Sequence, residues 1–201
     1  MIDSQQSINK VSKGQFSDRG SKFYSFIHPV DSISDYKYLI RQYKDKNPKA
    51  CHVCSAYRIY LNRWIDEYAT DDGEPKGSSG LPILNVIKRN KLVNVAIYVV
   101  RIYGGVNLGI PGLINAYSTC SEDAVKKSAL IDWKPVEKIC IQYSYDSHKL
   151  ITSILKKNDG KVVREDFKDQ IISHIIIREG SRDALIKLLN EKTSGKVLIL
   201  K

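Results

Sequence analysis

The chain has 201 residues, 42% hydrophobic and 27% charged, with a formal net charge of +10. That is the balance of a soluble globular protein, long enough for one large domain or two small ones, and no apolar run approaches the roughly 20 residues of a membrane helix. Met1–Phe16 is polar and lacks the apolar core of a signal peptide, so a cytoplasmic location and no membrane partner are expected.

In chain order, Lys22–Val30 reads as a first strand, ended by His28-Pro29. Ser34–Lys46 reads as a helix with Ser34 or Asp35 as cap and Tyr36, Leu39, Ile40 and Tyr43 on one face. Cys51–Leu61 and Trp64–Ala69 form a strand pair whose short gap contains Asn62, suggesting a hairpin. Pro82–Arg89 has helical spacing, and the β-branched run Leu92–Ile102 reads as a buried strand. A helix then opens near Pro111, where proline suits a first turn, and continues to about Leu130. The Asp132-Trp133-Lys134-Pro135 stretch marks a boundary between domains at 1–132 and 135–201. Beyond it the order is strand (Val136–Tyr145), helix (Ser147–Lys157), strand (Lys161–Phe167), strand (Gln170–Glu179), helix (Arg182–Lys192), strand (Gly195–Leu200). That βαββαβ pattern is the ferredoxin-like arrangement, and the fold class expected for the whole chain is α+β.

Two glycine-dense loops carry the candidate chemistry: Asp71-Asp72-Gly73-Glu74-Pro75-Lys76-Gly77-Ser78-Ser79-Gly80, and Gly104-Gly105 through Gly109 to Gly112. Each runs into a helix-like segment, whose start supplies unpaired N–H groups and partial positive charge. The second loop has neither dinucleotide-binding nor P-loop spacing, which leaves a generic anion site with Arg101 beside it, or glycines needed for packing. Asp71, Asp72 and Glu74 suit an acid–base or Mg²⁺ role, or equally a turn and local caps. His52 gains interest only if folding brings it near Asp71 or Arg101.

Cys51-His52-Val53-Cys54 has redox spacing, but on a strand the two thiols face opposite sides. Cys120 and Cys140 do not complete a zinc set, so no metal and no cofactor are expected. Tyr57, Tyr60, Tyr98, Tyr103, Tyr143 and Tyr145 lie in strand-like segments, where aromatics stack bases on an open face or fill a core. Pro135–Lys201 holds 13 basic and 9 acidic residues and the remainder 19 and 13, so the positive excess, +4 and +6, lies in both parts. Such a balance favours a polyanion partner or simply solvated lysines.

The first loop, the stretch Val100-Arg101-x-Tyr103-Gly104-Gly105-x-x-Leu108-Gly109-x-x-Gly112-Leu113-x-x-Ala116-Tyr117, and Ala50-x-His52-x-Cys54-x-Ala56-Tyr57-Arg58 together resemble the YigZ/IMPACT family in its bacterial two-domain form. The resemblance implies an N-terminal ribosomal protein S5 domain 2-like domain and a C-terminal ferredoxin-like domain, similar to the fourth and fifth domains of elongation factor G. Eukaryotic relatives regulate translation, and no reaction is implied for bacterial members. The expected function is therefore a translation-associated regulator that binds RNA or the ribosome, with a translation-factor protein as a further partner. The binding candidates are His52, Arg58, Asp71, Asp72, Glu74, Lys76, Arg101, Gly104, Gly105 and Gly109. The alternatives are an enzyme using Asp71, Asp72, Glu74 and His52, or a protein–protein regulator. Asn107 and Asn115 stand where the family usually carries lysine and arginine, which weakens a phosphate clamp at the second loop.

Overall fold

A computed structural model describes residues 5–48, 50–61 and 63–200. It is a mixed α+β structure that divides between Trp133 and Lys134 into two compact units.

The elements of unit one are β1 (Gln5–Ile8), β2 (Ser12–Asp18), β3 (Ser21–Pro29), α1 (Ile33–Lys46), β4 (His52–Leu61), β5 (Trp64–Thr70), α2 (Gly80–Arg89), β6 (Val95–Ile102), α3 (Gly109–Lys126) and β7 (Leu130–Trp133). Five strands form one antiparallel sheet in the order β2-β3-β6-β4-β5, and β1 pairs with β7 in a separate two-stranded ribbon. Alternation along the strands sorts their side chains into two cores. Phe23 and Ile27 of β3, Cys54 and Ala56 of β4, and Val95, Ile97 and Val99 of β6 pack with α2 and α3. Ala96 and Tyr98 of β6, with Tyr57 and Ile59 of β4, pack instead with Tyr36, Leu39, Ile40 and Tyr43 of α1. β6 is central and covered on both faces, which is why both of its parities are apolar.

Local chemistry explains where element ends depart from expectation. The cap of α1 is Ser32, not Ser34 or Asp35: its Oγ accepts from the Asp35 N–H at 3.1 Å and donates to Asp35 Oδ2 at 2.7 Å. β6 starts at Val95 because Leu92 and Val93 face Gln6, whose backbone bonds Lys91 and Val93 at 2.9 Å each. α3 begins at Gly109, two residues before Pro111, and stops at Lys126 because Leu130–Trp133 leaves to pair with β1. The hairpin between β4 and β5 pairs Leu61 with Trp64, and Asn62 lies outside the described residues. Gly14 in β2 is dictated by α3: a Cβ there would come within 2.4 Å of Ala124 N and 2.6 Å of Cys120 O.

Unit two comprises β8 (Val136–Tyr143), a 3-10 turn (Tyr145–Ser147), α4 (His148–Lys157), β9 (Lys161–Phe167), β10 (Ile171–Arg178), α5 (Arg182–Lys192) and β11 (Leu198–Leu200). Its antiparallel sheet has the order β11-β8-β10-β9. Ile139, Ile141 and Tyr143 of β8 and Ile171, Ile175 and Ile177 of β10 meet Ile151, Leu155, Leu185 and Leu189 of the helices. The Tyr143 hydroxyl is satisfied inside that core by Ser173 Oγ at 2.7 Å. Tyr143, Tyr57 and Tyr98 are therefore core residues, not stacking platforms, whereas Tyr103 and Tyr145 are exposed. All four cysteines are free thiols, with Cys51 exposed and Cys54 buried.

Candidate functional site

Antiparallel pairing places His52 of β4 directly opposite Arg101 of β6, at one end of the sheet. Both share the parity of Cys54, Ala56, Ile97 and Val99, so both belong to the face that α2 and α3 cover. The two glycine loops close over this end.

In the first loop Asp71 is an organising acceptor. Its Oδ1 takes the Ser79 N–H (3.1 Å), the Ser79 hydroxyl (2.8 Å) and the Gly80 N–H (2.8 Å), and its Oδ2 takes the Gly77 N–H (2.8 Å). These bonds cap α2 from outside the helix, as Ser79 makes no side-chain cap of its own. Burial by itself would raise the Asp71 carboxyl, but the bonds donated by Gly77, Gly80 and Ser79 outweigh it and hold the group below the usual carboxylate range. Gly80 itself has no room for a side chain, since a Cβ would lie 2.7 Å from the Thr70 backbone.

Asp72 faces the other way. It pairs with Lys44 of α1, accepts the Val53 N–H at 2.8 Å, and its carbonyl accepts from His52 Nδ1 at 2.7 Å. A carbonyl only accepts, so His52 carries its proton on Nδ1 and leaves Nε2 as the free ring nitrogen.

Glu74 turns inward. Its Oε1 accepts from Arg101 Nη1 at 2.6 Å and from the Tyr117 hydroxyl at 2.8 Å, and both charged side chains are buried. The Arg101 guanidinium also lies 5.5 Å from the ring centres of Phe23 and Tyr103. The Cys54 thiol lies 3.0 Å from the Asp71 carbonyl and 3.3 Å from the Tyr117 hydroxyl, two acceptors for its one proton, and burial pushes it up to about 12, so it is not a nucleophile here.

The second loop is shaped by its glycines in two ways. Gly104 lies against the Gly20–Ser21 turn, where a Cβ would come within 1.9 Å of Gly20 C, and its N–H donates to Ser21 Oγ at 3.1 Å. Gly105 and Gly109 have φ of +86° and +70°, the left-handed region that suits glycine. Between them, the Tyr103 hydroxyl donates to Asn107 Oδ1 at 3.2 Å.

A cleft of about 500 Å³ results, with His52, Glu74, Arg101, Tyr103 and Asn107 on its polar side. Pro75, Leu108, Ile110 and Leu113 supply an apolar wall, and Gly109 starts α3 at its edge. Of the residues singled out by sequence, the fold brings His52, Glu74, Arg101 and Gly109 together. Asp71 and Asp72 are turned into the loop and toward α1, and Gly104 and Gly105 set the loop's path. Lys76 is exposed.

Arg58 stands apart. It pairs with Val95 at the far end of β4, six residues and about 20 Å from His52. Its Nε donates to Glu67 at 2.9 Å and its Nη1 to the Leu92 carbonyl at 2.9 Å, so this buried cation ties β4 to β5 and to the segment before β6. Sequence reasoning missed Tyr117 and Phe23 as parts of the site. The one available signal is a tyrosine on the apolar face of a helix, whose buried hydroxyl requires a partner.

Among the described residues, no group of three or more His, Cys, Asp or Glu is placed to hold a metal ion, and no helix is long and apolar enough to cross a membrane.

Residues 19–125 match the family profile described as the Impact N-terminal domain. The IMPACT family member YvyE of Bacillus subtilis (strain 168) is 26% identical over 196 residues, covering 98% of this chain and 90% of that protein. An IMPACT family member of Haemophilus influenzae is 28% identical over 185 residues, covering 89% of this chain and 87% of the relative. A crystal structure of a hypothetical protein superposes with a TM-score of 0.70 at 22% identity, covering 100% of this chain and 98% of that one, a likeness of fold.

Proposed function

Because the chain belongs to the IMPACT family, we propose that it is a regulator of translation that works by binding RNA or the ribosome, in the cytoplasm, with a translation-factor protein as a further partner. In this reading unit one is an S5 domain 2-like domain and unit two a ferredoxin-like domain, the pair akin to the fourth and fifth domains of elongation factor G. The βαββαβ order and the antiparallel sheet order of unit two support the second assignment. The observation that carries the reading is charge: the net +10 is shared by both parts of the chain, as suits a partner that presents phosphates over a broad surface.

The cations that meet such a partner are not the buried arginines. Arg58 and Arg101 are spent on Glu67 and Glu74, which leaves exposed lysines such as Lys22 and Lys76. Cosedimentation with ribosomes and ribosomal subunits over a salt series tests the proposal. Binding is expected to weaken about tenfold or more between roughly 50 and 200 mM salt, and Lys76→Ala to lower the salt slope by about 1 if that lysine meets a phosphate. Affinity indifferent to salt, or no binding at low salt, overturns it.

A further inference from the structure

Strand β10 reads like a strand buried on both faces: Ile171, Ile175 and Ile177 point one way, and Ile172 and Ile176 point the other. Within unit two only the first set is covered. The core that α4 and α5 close takes Ile171, Ile175 and Ile177 with Ile139, Ile141 and Tyr143 of β8, all of one parity. The opposite face carries Cys140 of β8, Ile172 and Ile176 of β10, and Leu198 and Leu200 of β11, and none of these is buried.

Cations frame this apolar strip. Lys138 of β8 and Lys161 of β9 pair with Ile176 from either side, and Arg178 follows it along β10. Among the described residues the one carboxylate of the face is Asp166, which Arg164 holds at 2.8 Å and which lies 3.8 Å from His174. No ion pair reaches Lys138, Lys161 or Arg178 among those residues. A hollow of about 520 Å³ opens beside Lys138, Cys140, His174 and Leu200. Glu137 and Arg182 also line it, and the Glu137 carboxylate accepts the Gly180 N–H at 2.9 Å. Nucleic-acid readers that work from a sheet face stack bases on Phe, Tyr or Trp. No such residue holds a register position on this face among the described residues, so it suits apolar anchors set among carboxylates and not splayed bases.

We infer that the uncovered sheet face of unit two docks one acidic amphipathic helix of a partner protein. A helix is the layer that already covers the opposite face of this sheet. Strands about 4.8 Å apart make a face of four roughly 15 Å wide. One helix, about 10 Å across with its side chains, covers the strip and leaves the cations at its margins. Its apolar stripe lies on Ile172, Ile176 and Leu200, and its flanking Asp or Glu residues meet Lys138, Lys161 and Arg178. The inference does not depend on ribosome binding or on the partner being a translation factor.

The test is an NMR titration of the full ¹⁵N-labelled chain. The first probe is a helical peptide of about 15 residues, roughly four turns, with leucines at i, i+3, i+4 and i+7 and glutamates on its flanks. The controls are the same peptide with lysine for every glutamate and a single-stranded oligouridylate. The glutamate peptide is expected to shift the amides of Cys140, Ile172, His174, Ile176 and Leu200 in a saturable way. The lysine peptide is expected to bind at least about tenfold more weakly, and the oligouridylate to leave those amides unmoved. Lys138 and Arg178 are exposed, so Lys138→Glu combined with Arg178→Glu reverses charge without touching the core. That variant is expected to keep its melting temperature and lose about tenfold or more in affinity for the glutamate peptide. Absence of saturable binding, equal affinity for the two peptides, shifts of these amides by the oligouridylate, or unchanged affinity in the charge-reversed variant overturns the inference.

Discussion

At the scale of single residues, neighbours in sequence hold unlike posts. Asp71, Asp72 and Glu74 form one acidic cluster on paper, yet the first ties down a loop, the second joins that loop to α1 and β4, and the third neutralises a buried arginine. The cluster was legible in the sequence. The division of labour was not, because Glu74 finds its partners 27 and 43 residues away, at Arg101 and Tyr117. Asp71 yields a pH prediction. Its folded pKa lies below the ordinary value, so its contribution is fully present above the unfolded pKa near 4 and is lost as pH falls through the depressed folded value. Asp71→Asn should cost about 1–3 kcal/mol at neutral pH and flatten the acid loss of stability. Urea unfolding at pH 7 and at about pH 3 checks both, and equal acid sensitivity in the two proteins would refute the assignment.

Among elements, those with strong periodicity declare themselves: α1, the β4–β5 pair, α2 and β6 all fall where apolar spacing and turn residues point. β1, β2 and β7 do not. Gln5–Ile8 and Leu130–Trp133 are four residues each and stabilise one another across the chain, so neither carries a pattern alone. In β2 the inward face offers one apolar side chain, Phe16, beside Gly14, whose smallness serves the backbone of α3. The second glycine loop shows how two adjacent glycines differ in their reasons. Gly104→Ala drives a Cβ into the Gly20–Ser21 backbone, whereas Gly105→Ala meets nothing within 4 Å and bears only the strain of φ +86°. The first should cost roughly 3 kcal/mol or more and the second about 1–2 kcal/mol. Chemical denaturation of both variants side by side tests this, and equal losses would mean that close approach is not what fixes Gly104.

For the whole molecule, unit two has its own core of buried isoleucines and leucines and its own closed hydrogen-bond order. A fragment of residues 134–201 is therefore expected to fold alone, with modest stability for its size, and to unfold cooperatively in urea by circular dichroism. A featureless, non-cooperative curve would show that it needs the rest of the chain. In unit one, the pairing of β4 with β6 sets a different kind of constraint. Inserting one residue directly after His52 exchanges the faces of the β4 side chains beyond it: Cys54 and Ala56 would point at the α1 aromatics, while Tyr57 and Ile59 would be forced under α2. The cleft on one side of the sheet and the tyrosine layer on the other thus share a single reading frame. Descendants of this chain are free to change the letters on either side, but the count of residues along these two strands is common property, and variation in length has to be absorbed in the loops.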